Sequence, residues 1–163
     1  MPWAAFGVSL FVALLLQTTL VPRVLDSLDL FLVLALLCSL LTPAADARIA
    51  GWIAGLVQDL AAGGGLGPHA FSLGFCVWLA TLLREWIPIR PYGARLLVSV
   101  IAAWLGQLVL WSYVALRFDS IGWWSVIGNA TSVALWSAIV AVLLTALPGL
   151  RVRRRPRFDG SRA

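Results

Sequence analysis

The sequence contains no lysine, a single histidine and two cysteines, and only 12% of its 163 residues are charged. Soluble domains carry about 25% charged and about 45–50% apolar residues. Here 61% of the residues are hydrophobic, which excludes an ordinary water-soluble globule. His69, Cys38 and Cys76 lie far apart in the chain and cannot assemble a metal shell of the usual kind. The two cysteines sit inside apolar runs and read as small buried hydrophobes, not as a disulfide. The glycine run Gly63-Gly64-Gly65-Leu66-Gly67-Pro68 lacks the Lys-Ser/Thr pair of a phosphate loop, and no long-period repeat is present. No cofactor and no metal are expected.

What is present is a succession of apolar runs: Trp3 to Leu20, Leu28 to Leu41, Ile49 to Ala62, Ala70 to Leu83, Leu96 to Leu116 and Ile121 to Leu147. At about 20 residues per membrane helix, six spans leave only about 40 residues for every loop and both ends. The expected fold is therefore all-α, a polytopic membrane protein of six transmembrane helices over residues 1–150 with a basic tail over 151–163. The second and third spans are short for a bilayer and are expected to be tilted or partly re-entrant. The first run has no basic n-region and no small-residue cleavage pattern, so it is expected to be a retained span.

Orientation follows from the arginines, which are retained on the cytoplasmic side near span ends. With both termini inside, that side holds Arg48, Arg84, Arg90, Arg95 and the tail from Arg151 to Arg162, against Arg23 and Arg117 outside. The arginines at 151, 153, 154, 155 and 157 read as a topology signal and a contact for anionic lipid, with no nucleic-acid partner expected. Trp3, Trp86, Trp123 and Trp124 fall at span ends, where indole rings prefer the headgroup level.

The polar residues inside the runs are few. In the third, Gly51, Gly55, Asp59 and Gly63 recur every four residues on one helix face, a small-residue stripe carrying an acid. Apart from Asp29 at the entry of the second run, Asp59 is the one acidic residue inside an expected span, and a carboxylate facing hydrocarbon would cost several kcal/mol (about 2.5–3.5 on insertion scales). Two readings stand: a polar packing residue that caps the broken backbone at Gly63 to Gly67 or bonds a neighbouring helix, or a contact for a ligand, proton or partner. A lone carboxylate lacks the second acid, base or nucleophile of a catalytic set, so no enzyme is expected. Gln58 lies about 100° round the helix and faces a different neighbour. Gln17, Asp59 and Asn129 fall at similar levels in the outer half, with Gln107 deeper; together they would form an outward-opening pocket or a hydrogen-bonded lock. His69, after Pro68, reads as an N-terminal helix residue at the outer surface. Ala130, Ala134, Ser137, Ala138 and Ala141 form a second small-residue face.

Gln58-Asp59, followed by the run ending Gly65-Leu66-Gly67-Pro68-His69-Ala70, resembles the signature of the MreD family of rod-shape-determining membrane proteins. Gln17-Thr18-Thr19-Leu20 at the end of the first span is similar to that family too, and length, six spans and short loops match over nearly the whole chain. Family members usually carry Pro-Asp before the second span; here Leu28-Asp29 keeps the acid without the proline. The resemblance implies a multi-pass bacterial inner-membrane scaffold or regulator of the elongation machinery. It implies a single-span periplasmic partner, MreC, and action with the RodA glycosyltransferase, its partner transpeptidase and the MreB cytoskeleton in peptidoglycan synthesis. On that reading Gly51, Gly55, Gln58, Asp59, Gly63, Gly65, Gly67 and His69 shape a partner or packing surface. The family is also similar to the vitamin-binding membrane subunits of energy-coupling-factor transporters, which makes a small-molecule binder the alternative. Such subunits typically carry an alanine-x-x-x-alanine docking motif in the first span, which Ala4 and Ala5, followed at that spacing by Val8 and Ser9, do not provide.

Overall fold

The computed structural model describes residues 3–19, 27–63, 65–87, 91–117 and 122–146. Among them, six α-helices follow one another: α1 Trp3–Thr19, α2 Leu30–Leu41, α3 Ala44–Ala62, α4 Pro68–Trp86, α5 Tyr92–Arg117 and α6 Trp123–Leu144. Each apolar run becomes a helix, but α3, α4 and α5 begin earlier than their runs. Pro43 stands at the N-cap of α3, and Asp46 complements the helix dipole in its first turn. Gly64, Arg23, Arg90 and the arginines of the tail lie outside the described residues.

The chain is all-α, and α5 and α6 are each long and apolar enough to cross a membrane. The 12 residues of α2 reach only about 18 Å at about 1.5 Å per residue, against a hydrocarbon core of about 30 Å. That short helix is nevertheless the centre of the molecule. Phe31, Leu32, Val33, Ala35, Leu36, Cys38, Ser39 and Leu40 are all buried, a set too dense for one face of a helix with 3.6 residues per turn. The helix is wrapped by α1, α3, α4, α5 and α6. Its apolar side chains join Ala47, Ala54, Leu73, Val77, Val98, Ala102, Ala134 and Ala138 in one core.

Small residues set the helix spacing. Gly51 and Gly55 bring α3 against α4 so closely that a β-carbon on Gly55 would overlap the Ala70 backbone, while one on Gly51 would lie 2.8 Å from Val77 Cγ2. Gly74 on α4 receives the Trp52 ring, and Gly106 on α5 admits Cys76 of α4. Ser72 adds a hydrogen bond of 2.8 Å from its hydroxyl to the Gly106 carbonyl, using an acceptor already inside a helix to join α4 to α5. On α6, Ala130, Ala134, Ser137, Ala138 and Ala141 are buried together.

Gly55→Ala is expected to destabilise the folded protein by about 1–3 kcal/mol or more, because its methyl meets fixed backbone. Gly51→Ala should cost less, since its methyl would lie 2.8 Å from Val77 Cγ2 and 3.3 Å from the Leu73 carbonyl, a milder overlap than that with the Ala70 backbone at Gly55. Unfolding of the two variants in detergent, followed by circular dichroism, checks the ranking.

Candidate functional site

Helix N-termini leave backbone N–H groups without intrahelical partners, and where such an end is buried in protein no water replaces them. At α4 the N-cap is Gly67, which has no side chain to cap with, followed by Pro68, which has no N–H. The missing acceptor comes from α3. Asp59 Oδ2 accepts from the N–H groups of Gly67 at 2.8 Å and Ala70 at 3.1 Å, and Oδ1 from that of His69 at 2.9 Å. The next amide, Phe71 N–H, bonds the Gly67 carbonyl and starts the regular ladder. His69 Nδ1 lies 2.8 Å from Asp59 Oδ1, the approach of a ring N–H donor. The connection needs two glycines of positive φ, Gly63 at 64° closing α3 in the left-handed region and Gly67 at 125°.

The residue before Asp59 serves the other helix start. Gln58 Nε2 donates to Asp29 Oδ2 at 3.0 Å, while Asp29 Oδ1 accepts from Phe31 N–H at 2.9 Å and Leu32 N–H at 3.1 Å. Leu30 N–H, which Asp29 does not take, donates to Gln17 Oε1 of α1 at 2.9 Å. Asp29 N–H donates to Ser137 Oγ of α6 at 3.2 Å. Thus each of the first three amides of α2 has a named acceptor. Gln58 Oε1 is buried with no hydrogen-bond partner among the described residues.

At the opposite end, Arg84 of α4 donates through Nη1 to the Ser39 carbonyl and, at 3.1 Å, to the Thr42 carbonyl, which closes the C-terminus of α2. Arg48 Nε donates to Thr81 Oγ1 at 3.0 Å, and Arg95 Nη1 lies 3.4 Å from Thr145 Oγ1. Gln17 of α1 and Arg84 of α4 bond the backbone at the ends of the central helix, Gln58 of α3 and Ser137 of α6 hold its cap Asp29, and the α3 pair Gln58-Asp59 reaches both helix starts. A family model described as rod shape-determining protein MreD matches residues 1–148, the span that holds every one of these contacts.

The chain belongs to the MreD family. No curated protein and no solved structure matches it. Membership carries a rod-shape-determining role in an inner-membrane, structural family. Within this MreD chain, the residues singled out from the sequence separate into groups. Gly51 and Gly55 lie in the α3–α4 contact, Gly63 and Gly67 shape the turn, and Asp59 and His69 meet across it. Gly65 is exposed, with open space around its α-carbon. Gln17 and Gln58 join the Asp29 node, and Gln107 is buried on α5.

Asn129 does not join them. Val126, Ala130 and Ala134 turn inward on α6, leaving Asn129 exposed, and the α6 residue that reaches the node is Ser137 in the helix's second half. The α2 start therefore sits well below the α6 start, and Asn129 does not share the level of Gln17 and Asp59. A shallow cleft of about 260 Å³ lies between α1 and α2, walled by apolar residues such as Val12, Leu16, Val33 and Leu37, and none of Gln17, Asp59, Gln107 and Asn129 lines it. Among the described residues, no three His, Cys, Asp or Glu side chains stand close enough to hold a metal ion.

Sequence reasoning missed Asp29 as the organiser of the second node, although an Asp directly before an apolar run is an N-cap signal. The partners Ser137 and Arg84 carried no such local signal, because their contacts lie at 108 and 45 residues' separation.

Asp59→Asn turns one acceptor into an NH₂ group facing backbone donors and is expected to lower stability by about 1–3 kcal/mol, with Asp59→Ala lower still. Gln17→Leu, which leaves Leu30 N–H without its acceptor, should cost about 1–3 kcal/mol independently. Equilibrium unfolding in lipid–detergent micelles measures all three.

Proposed function

We propose that this protein is a non-enzymatic membrane scaffold that positions other chains of the elongation machinery. It binds an MreC-like single-span periplasmic protein and supports peptidoglycan synthesis by the RodA glycosyltransferase and its partner transpeptidase along the MreB cytoskeleton. The observation that carries this reading is the complete use of the Asp59 carboxylate on α4 backbone and His69, which leaves it no acceptor capacity for a substrate. A carboxylate so engaged is a structural cap, and among the described residues no second acid or nucleophile bonds it. Family membership supports the rod-shape role.

In this reading the chain crosses the inner membrane six times with both termini in the cytoplasm, and residues 151–163 lie on the anionic lipid surface. The arginine distribution supports that orientation: Arg48, Arg84 and Arg95 make their contacts at the end opposite Asp59. The turn from Gly63 to His69 then lies on the outer side, beside the surface a periplasmic partner meets.

Purification from the native membrane in mild detergent, with mass spectrometry of the chains that accompany it, tests the proposal. A single-span periplasmic coiled-coil protein together with wall synthases is expected. Paired ATPases with a coupling membrane subunit would overturn it and make the chain a substrate-capture subunit. Asp59→Asn should reduce recovery of the single-span partner and round the cells; unchanged assembly and shape would remove the Asp59 turn from the partner surface.

A further inference from the structure

Arg48 stands one turn into α3, about 6 Å along its axis from Ala44 at about 1.5 Å per residue. Its Nε donates to Thr81 Oγ1 of α4 at 3.0 Å, and it makes no ion pair with any described residue. A guanidinium keeps its charge in a protein, and the N–H groups on Nη1 and Nη2 have no acceptor among the described residues. The acids near this end do not serve it. Asp46 points about 200° round α3 from Arg48, and Glu85, exposed one turn beyond Thr81, does not pair with it. Arg48 is half-buried, so the fork is held by Thr81 at the edge of the α3–α4 contact.

From Arg48 the outer side of that contact continues as a row of rings. Trp52, one turn further on the same face of α3, lays its ring over Gly74 of α4. It meets Phe71 edge-on with centroids 6.3 Å apart, while Phe71 stacks on Phe75 at 6.4 Å and Phe75 on Trp78 at 6.0 Å. Trp78 lies one turn from Thr81 and so closes the row against Arg48. Trp52, Phe71 and Trp78 are exposed, and Phe75 is half-buried. Both tryptophans sit well inside their helices, unlike Trp86 and Trp123 at helix ends, so anchoring at the headgroup level does not account for them. From Thr81 to Phe71 the row runs about 15 Å, half of a hydrocarbon core of about 30 Å.

We propose that this face binds one anionic phospholipid, whose phosphate takes the Nη N–H groups of Arg48 and whose acyl chain lies along the rings. The two halves select the occupant together. The open guanidinium fork calls for an anion with oxygens spaced as in a phosphate, and the rings call for a hydrocarbon chain about one leaflet long. A phospholipid carries both in a single molecule. An ammonium in the same headgroup would repel Arg48, so a net negative headgroup is favoured over a zwitterionic one. The inference rests on the reading that α3 and α4 cross the membrane, and it needs no choice of which end is inside, because phosphates line both surfaces.

Photo-crosslinking of the full chain in nanodiscs of mixed phosphatidylglycerol and phosphatidylcholine tests this, with a diazirine on the acyl chain of one lipid or the other and labelled peptides mapped by mass spectrometry. Labelling of Trp52, Phe71, Phe75 and Trp78 should be about three- to ten-fold greater from the anionic lipid, against equal labelling from both at Ile127 and Leu135 on the exposed face of α6. Raising the salt concentration should lower that ratio without any substitution. Arg48→Gln should bring it to about one with helix content unchanged, while Arg117→Gln, on the far end of α5, should leave it intact. Equal labelling of the rings from both lipids, or a ratio insensitive to salt and to Arg48→Gln, overturns the proposal. Rings labelled by neither lipid in nanodiscs would lie outside the hydrocarbon, which overturns the span reading as well. Rings labelled in nanodiscs but shielded from both lipids in native membranes would belong to a partner chain, and the lipid proposal falls.

Discussion

Backbone ends without water govern this structure. A 12-residue helix with eight buried residues, half-buried only along the Leu30, Leu34, Leu37 and Leu41 face, has little water for its first amides and last carbonyls, so side chains of its own cap and of neighbouring helices bond them. Asp29 remains the local cap of α2, but its own position is held by Gln58 and Ser137, and its gap at Leu30 is filled by Gln17. Arg84 closes the other end. The bundle is thus fixed less by apolar burial, which in lipid distinguishes poorly between protein and tail, than by where these polar atoms must meet.

The glycines and the cap depend on one another. Asp59 reaches the α4 amides only because Gly55 lets α3 lie against the Ala70 backbone, and the turn returns in time only because Gly63 and Gly67 adopt positive φ. The adjacent residues Gln58 and Asp59 then tie the starts of α2 and α4 to the same turn of α3. Through this pair a perturbation at the Gly63–His69 turn is expected to reach the start of the central helix.

Much of this was legible in the sequence. Four-residue spacing of Gly51, Gly55 and Asp59 pointed to a close helix contact, and capping of the glycine turn was one of two readings of Asp59; the hydrogen bonds of the carboxylate match that one. The helices were visible as apolar runs, though their polar first turns were not. What stayed hidden was three-dimensional. Depth counted along the chain placed Asn129 beside Asp59, but helix rotation, set by Val126 and Ala130 packing inward, sends its side chain the other way. Likewise the long-range partners of Asp29 and Ser39 have no signature in their local sequence.

Hydrogen exchange of backbone amides in lipid nanodiscs tests the capping account most directly. Comparing the unsubstituted chain with Asp59→Ala, the account predicts loss of protection at Gly67, His69 and Ala70, spreading through Gln58 to Phe31 and Leu32, with the α5–α6 pair unchanged. Protection at the α4 start equal in the two proteins would contradict it.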